Sequence, residues 1–374
     1  MKRSLSFPCI RIEQPLGVFY VGAIPAADLC EITYVDVRRI EGERGFETYL
    51  GIQRPLSLNR VEELRQYVTS PDACFPTAVI LAVPAECAEY DGENGKMTLH
   101  SCEDPENTIE YDQIAKVIDG QHRIEGLRKL YSDTFEINVS IFVDMDIADQ
   151  AYLFSTVNLT QTKVNRSLVY DLYELAKTRS PQKTCHEIAV ALDSTKESPF
   201  FQKIKRLGVS TDGRFSETIT QATFVQALLG YISDDPMRDR NLCLQGKVPK
   251  KASVDEQKKL IFRNMFIDDR DLEISDVIWN FFDAVRNRWP EAWSSMGRGL
   301  MLNKTNGFKG LMRFLRPCYT YLDAPGSVVR KDAFGDILKR INLSDQDFTT
   351  DVYKPGTSGE ALLYQTLVNK ANIG

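Results

Sequence analysis

Val117-Ile118-Asp119-Gly120-Gln121-His122-Arg123 is where an apolar run gives way to a polar one, and its reading decides how the chain is organised. The run IAKVI (114–118) has the composition of a short buried strand, and QHRIEGLRKLY (121–131) sets Ile124, Leu127 and Leu130 or Tyr131 on one helical face. Asp119-Gly120 between them predicts a tight turn, and FEINVSIFVD (135–144) alternates like a returning strand. The unit is strand, turn, helix, strand. Backbone N–H groups at a helix start lack intrahelical acceptors, and the macrodipole puts partial positive charge there, so such a junction favours a phosphate. Gly120 allows close backbone approach, while His122 and Arg123 can add charge-assisted hydrogen bonds. The same residues also admit a plainer reading, with Asp119 as helix N-cap, Gly120 as turn residue, His122 as a satisfied polar group and Arg123 as an ion-pair partner.

Working outward, the front of the chain alternates strands and helices. FPCIRIEQPLGVFYVGAI (7–24) predicts a hairpin about Pro15-Leu16-Gly17, and ITYVDV (32–37) a third strand. SLNRVEELRQYV (57–68) spaces Val61, Leu64 and Val68 as an amphipathic helix, TAVILAV (77–83) is a buried strand, and the polar residues 90–108 form a hairpin or loop. From residue 147 the pattern turns helical, in IADQAYLFSTVN (147–158), SLVYDLYELAK (167–177), TITQATFVQALLGYI (218–232) and VIWNFFDAVRNRW (277–289). The expectation is an α/β (α+β) N-terminal domain, residues 1–155, joined to a mostly α-helical C-terminal domain, residues 156–374. GKVPKKASVDEQKK (246–259) is expected to be a mobile basic loop. Lys304-Thr305-Asn306-Gly307-Phe308-Lys309-Gly310 lacks the Gly-Lys-Ser/Thr ending of a phosphate loop and is expected to be a turn, with a DNA contact as the alternative. The helical spacing of Trp279, Phe281, Phe282, Trp289 and Trp293 assigns them to a core.

At 374 residues, with 43% hydrophobic and 26% charged side chains, the composition excludes wholesale disorder and collagen. No run approaches the ~18 apolar residues of a membrane helix, and MKRSLSFPCI has no apolar stretch behind its basic residues, so a cytoplasmic protein is expected. The eight cysteines include no CxxC pair, and the three histidines have no second ligand pair nearby, which argues against a zinc ribbon or disulfide framework. A net charge of −6 conceals 14 Lys and Arg against 26 Asp and Glu in residues 1–150, a net −12, and 32 against 26, a net +6, in the remainder. Such a contrast points to a nucleic-acid-facing second half, although Lys203, Lys205, Arg206, Lys258, Lys259, Arg263, Arg286 and Arg288 also fit solvated helix faces. There is no Gly-x-Ser-x-Gly elbow, and the carboxylate trio that a metal-dependent nuclease would draw on is Asp144, Asp146 and Asp149.

Asp119-Gly120-Gln121-His122-Arg123 with the following Ile124-Glu125-Gly126-Leu127 resembles the signature of DGQHR-domain proteins, the family of DndB-like regulators associated with bacterial DNA phosphorothioate modification. Gln53-Arg54-Pro55-Leu56, Phe75-Pro76-Thr77-Ala78-Val79-Ile80-Leu81-Ala82 and the stretch from Phe154 to Val164 resemble the family pattern in the same order. More distantly the layout is similar to the ParB and sulfiredoxin superfamily, in which a Gly-containing strand-to-helix turn binds nucleotide. Sulfiredoxin carries Gly-Cys-His-Arg there, and Gln121 replaces its nucleophile, so the resemblance does not extend to sulfinic-acid repair. ParB proteins have Glu at that position and an Asn in a later helical motif, for which Asn158 is the match, with Gln161 one residue off the usual spacing.

The resemblance implies a nucleotide site at Gly120, Gln121, His122, Arg123, Arg54, Asn158 and Gln161, taking ATP or CTP with Mg²⁺. Asp119 would be its catalytic carboxylate if slow hydrolysis occurs, and Asn158 would lie near the metal. Lys163 and Arg166 would reach DNA. The implied function is a nucleotide-dependent DNA-binding regulator of a DNA-modification or defence system, a homo-oligomer working beside DNA-modification proteins. Two alternatives stay open: a ParB-like NTPase or nuclease acting on DNA, and a DNA-binding repressor whose DGQHR turn is purely structural.

Overall fold

The computed structural model describes residues 3–35, 39–43, 46–50, 58–104, 107–128, 135–159, 167, 170, 176, 178–211, 213–296 and 299–373. The chain divides into two compact units, Met1–Thr162 and Lys163–Gly374. The first is mixed α/β and the second mostly helical, as the periodicities predict.

In the first unit, β1 (Ser4–Gln14) and β2 (Gly17–Pro25) form the expected hairpin, in register from Cys9↔Gly22 to Gln14↔Gly17. The start of β1 pairs instead with β8 (Lys96–His100), from Ser4↔His100 to Pro8↔Lys96. Proline lacks the N–H that a continuous ladder needs, and the change of partner falls at Pro8. The other strands of this sheet are β3 (Thr33–Tyr34), β6 (Val79–Val83), β7 (Ala88–Asp91), β11 (Ala115–Asp119) and β12 (Glu136–Val143). Their order is β3-β11-β6-β12-β2-β1-β8-β7, with β11 parallel to β3 and antiparallel to β6, and β12 parallel to β6. A separate antiparallel ribbon pairs β4 (Arg39–Glu43) with β5 (Phe46–Leu50). Alternation gives one face of the large sheet Val79, Leu81, Val83, Val117, Ile137, Val139 and Ile141, all buried. That face joins a core with Leu29 and Ile32 of α1 (Ala26–Ile32) and Ile124 and Leu127 of α3 (Gln121–Leu127). α2 (Leu58–Val68) packs on α3, and α4 (Ile147–Leu159) packs on β11.

One local expectation needs correction here. Of the expected strand 32–37, Thr33–Tyr34 pair as β3 while Ile32 instead ends α1, whose buried Leu29 and Ile32 draw it into the core as a helix; residues 36 and 37 lie outside the described residues. The polar stretch 90–108 does form a hairpin, between β7 and β8, and continues into the two-stranded ribbon β9 (Cys102–Asp104) and β10 (Asn107–Ile109).

The second unit surrounds an aromatic centre. Phe200 lies 4.7 Å from Phe282, 5.3 Å from Phe224 and 5.7 Å from Trp293, ring centre to ring centre. The partner rings come from α6 (Gln221–Leu229), α10 (Asp271–Arg288) and α11 (Pro290–Ser294), and Phe308 joins them from α12 (Thr305–Tyr321). The unit also contains α5 (Pro181–Ser194), α7 (Pro236–Leu244) and α9 (Arg263–Ile267). The core assignment holds, with Trp289 and Trp293 fully buried and Trp279 packed at the margin. Residues 305–310, expected as a turn, are the first turns of α12. A Cβ on Gly307 would stand 2.2 Å from the Leu302 carbonyl oxygen and one on Gly310 2.7 Å from Leu363, so these glycines serve close packing. The 246–259 stretch contains α8 (Val254–Gln257), started by a reciprocal capping box between Ser253 and Glu256. Helix 167–177 falls mostly outside the described residues. Among those described, no helix is long and apolar enough to cross a membrane.

Candidate functional site

The site begins with a slip in the sheet. Val117 pairs with Leu81 and Asp119 with Ile80, so the ladder bulges at Ile118 and the end of β11 is turned out of register. Gly120 follows at φ +102°, a left-handed conformation costly for a side chain. A Cβ there would lie 3.0 Å from Val79 and 3.1 Å from a guanidinium nitrogen of Arg123, so the turn requires glycine twice over. Ile124 N donates to the Gly120 carbonyl at 3.1 Å, the first bond of α3. The N-cap is therefore Gly120, with no side-chain capping bond, and Asp119 does not have the capping role of the plainer reading.

Arg123 turns back toward the sheet. Its Nη1 donates to the Thr77 carbonyl and, at 2.9 Å, to Thr77 Oγ1; its Nη2 donates to the Ala78 carbonyl at 3.1 Å and to Asp119 Oδ2 at 3.2 Å. The Asp119 and Arg123 side chains are 22% and 15% exposed, so a planar guanidinium in a partly dry setting closes the turn onto the start of β6. Gln121 and His122 are buried, and both are engaged within the protein. Thus the residues from 77 onward and the 119–123 turn, related in the sequence only by their order, are hydrogen-bonded to one another. Asn138 of β12 adds a bond from Nδ2 to the Pro76 carbonyl at 3.0 Å.

The far end of α3 is secured similarly. Arg128 pairs with Glu125 at 2.6 Å and donates to the Cys30 and Thr33 carbonyls at 2.9 and 3.1 Å, ending α1 with a cation where its macrodipole is negative. Gly126 permits close approach of α2, since a Cβ would stand 2.9 Å from Leu64 Cβ. Thr77, Ala78, Asn138 and Arg128 were not singled out from the sequence. The one signal for Thr77 and Ala78 was their place in a segment that resembles the family pattern.

The structure thus brings Asp119, Gly120, Gln121, His122 and Arg123 together at one turn. Asn158 lies in α4, with only its backbone described. Arg54, Gln161, Lys163 and Arg166 lie outside the described residues. Of the Asp144, Asp146 and Asp149 trio, Asp146 Oδ1 accepts from Asp149 N at 3.0 Å, a cap for the start of α4. Among the described residues, no group of three or more His, Cys, Asp or Glu side chains is arranged to hold a metal ion.

Several of the basic residues of the second unit are engaged internally. Arg263 is buried against Asp239 at 2.7 Å, Lys258 pairs with Asp255 at 2.9 Å and Lys259 with Asp234 at 2.5 Å. Arg286 pairs with Asp283, and Arg288 donates to the Ile341 and Leu343 carbonyls. Each such pair removes one charge of either sign, so the net +6 of this half is unchanged while fewer of its individual cations are free.

Residues 7–301 match the model of the DndB family, described as DNA-sulfur modification-associated. The match covers more than half of the chain, which therefore belongs to that family and is associated with DNA phosphorothioation systems. No curated protein and no solved structure matches the chain.

Proposed function

From that family membership we propose that the chain is a DNA-binding regulator in a DNA phosphorothioation system, and that a nucleotide at the Gly120–Arg123 turn sets its DNA affinity. The observation that carries the reading is the bulged strand end leading through a left-handed glycine into α3, where the first-turn amides have no intrahelical acceptors. ATP or CTP would bind with Mg²⁺, which needs only one or two protein oxygens besides those of the phosphates. We assign those to Asp119 and Asn158. Ligand phosphate at the turn would compete with Asp119 for Arg123, and so would pull on the Thr77 and Ala78 contacts. That is a local change with two arrangements, which a ligand can bias. Slow hydrolysis, a homo-oligomer and contact with DNA-modification proteins belong to the same proposal.

One observation favours a second reading. Arg123 already has protein acceptors at Thr77, Ala78 and Asp119, as it would if the turn were a structural clasp in a repressor that needs no nucleotide.

Equilibrium binding of ATP and CTP with Mg²⁺, with and without duplex DNA, separates the two. The switch is supported if a nucleotide binds wild type, changes its DNA affinity and is lost in Arg123→Ala, with circular dichroism showing that the variant is folded. DNA binding by wild type with no nucleotide bound gives the clasp. Wild type that binds neither ligand overturns both readings.

A further inference from the structure

The loop between β13 (Ile204–Lys205) and β14 (Ile219–Thr220) presents Phe215 to solvent at 88% exposure, the highest of any large apolar side chain among the described residues. Single exposed apolar residues are ordinary on protein surfaces, so the backbone beneath this one decides its meaning. Both neighbours of Phe215 are fixed. Arg214, nearly buried, bonds to Asp193 Oδ2 at 2.7 Å and lies 3.6 Å from Glu217 Oε1. Ser216 Oγ donates to the Gln202 carbonyl at 2.8 Å.

The supports continue inward. Asp193 is fully buried, and its other oxygen accepts from Ile204 N at 2.9 Å. Glu217 accepts from Thr211 N at 2.8 Å, and Thr218 N donates to the Lys203 carbonyl at 2.9 Å. Ionised groups are buried at a cost unless they are paired and hydrogen-bonded, as these are. Their effect is a loop that holds an aromatic ring outward and blocks its collapse onto the core. A ring held this way loses little conformational freedom on making a contact.

The surroundings indicate what the ring would meet. Lys205 lies on β13 and Lys203 immediately before it, where its carbonyl accepts from the loop; both are half-buried, and neither pairs with a carboxylate among the described residues. Burial, and then the like charge of Arg286, hold the Lys203 ammonium below its ordinary range, while Arg214 and Arg206 set two cations beside the carboxylates of Asp193 and Glu217. An apolar ring with such cations at its base fits a polyanion that offers flat apolar faces between its charges.

We infer that Phe215 is a nucleic-acid contact, inserting against the bases of DNA while Lys203 and Lys205 face the phosphates. The inference rests on the proposed DNA-binding reading and adds to it a position and a mode of contact.

The test is binding of the full chain to a mixed-sequence duplex, followed by fluorescence anisotropy over a series of salt concentrations. Phe215→Ala should weaken binding about tenfold with the salt slope unchanged, because a stacking contact releases no counterion. The pair Lys203→Gln with Lys205→Gln should flatten the log–log slope by about 0.9 for each phosphate that the variant no longer neutralises. Phe215→Trp should retain affinity and show indole quenching on DNA beyond that of wild type. Wild-type affinity in Phe215→Ala, or unaltered indole emission in Phe215→Trp, overturns the contact and leaves the DNA-binding reading standing. If wild type binds no duplex, both fall. Loss of a partner protein by Phe215→Ala with DNA affinity intact assigns the ring to a protein interface and overturns the inference.

Discussion

Gly120 shows how much one backbone conformation can carry. Its left-handed φ and the 3.0 and 3.1 Å approaches of Val79 and Arg123 to the missing Cβ act together, so Gly120→Ala should destabilise the fold by about 1–3 kcal/mol. Urea unfolding followed by circular dichroism measures this, and wild-type stability would mean that Arg123 can give way freely. Arg123 is equally specific to its place. Two guanidinium nitrogens reach four acceptors on three residues, a geometry that a lysine ammonium does not reproduce. Arg123→Lys should therefore cost about 0.5–1.5 kcal/mol, the net worth of a hydrogen bond lost among acceptors that water can still reach.

Helices in the second unit use glycine in two opposite ways. In α12, a Cβ on Gly307 would meet the carbonyl oxygens of Leu302 and Met301 at 2.2 and 2.4 Å, and backbone cannot move aside as a flexible side chain can. Gly335, in the helix Lys331–Lys339, has nothing within 4 Å of the corresponding position. Gly307→Ala is expected to cost about 3 kcal/mol or more through overpacking. Gly335→Ala should instead stabilise by about 0.5–1 kcal/mol, since alanine loses less backbone entropy on entering a helix. Thermal unfolding of the two variants should move in opposite directions; a shared direction would show that α12 adjusts around Gly307.

Across the molecule as a whole, the buried charges of the helical unit make its stability depend on pH. Burial works to raise the Asp239 carboxyl, but hydrogen bonds from Arg263 and Ser233 and the Arg263 charge outweigh it, leaving its pKa below the ordinary carboxylate value. The stability from this pair is thus fully present above the unfolded pKa of about 3.9 and is lost as pH falls through the lower folded value. Asp239→Asn leaves Arg263 without its counter-charge and should cost about 3–5 kcal/mol at neutral pH. The gap from wild type should close with acidification below about pH 4, and urea titrations across that range would refute the assignment if it stayed constant.

The overall division into an α/β unit and a helical one was legible in the sequence, because periods of two and of 3.6 are local properties of a chain. So were the hairpin at Pro15-Leu16-Gly17 and the strand–turn–helix–strand around Gly120. The seven residues of α1 are too few to display a period, and the glycines at 307 and 310 look like a turn until the chain that packs on them is in place. The membership of Asp119 through Arg123 in one turn could be read from their adjacency. That Arg123 closes this turn on Thr77 and Ala78, that Arg263 is buried against Asp239, and that Arg288 is held by the Ile341 and Leu343 carbonyls, depended on segments distant along the chain. A hydrogen bond or ion pair acts over a few ångströms of space whatever the sequence separation, so only the tertiary structure could decide which charges meet and which are left for a partner.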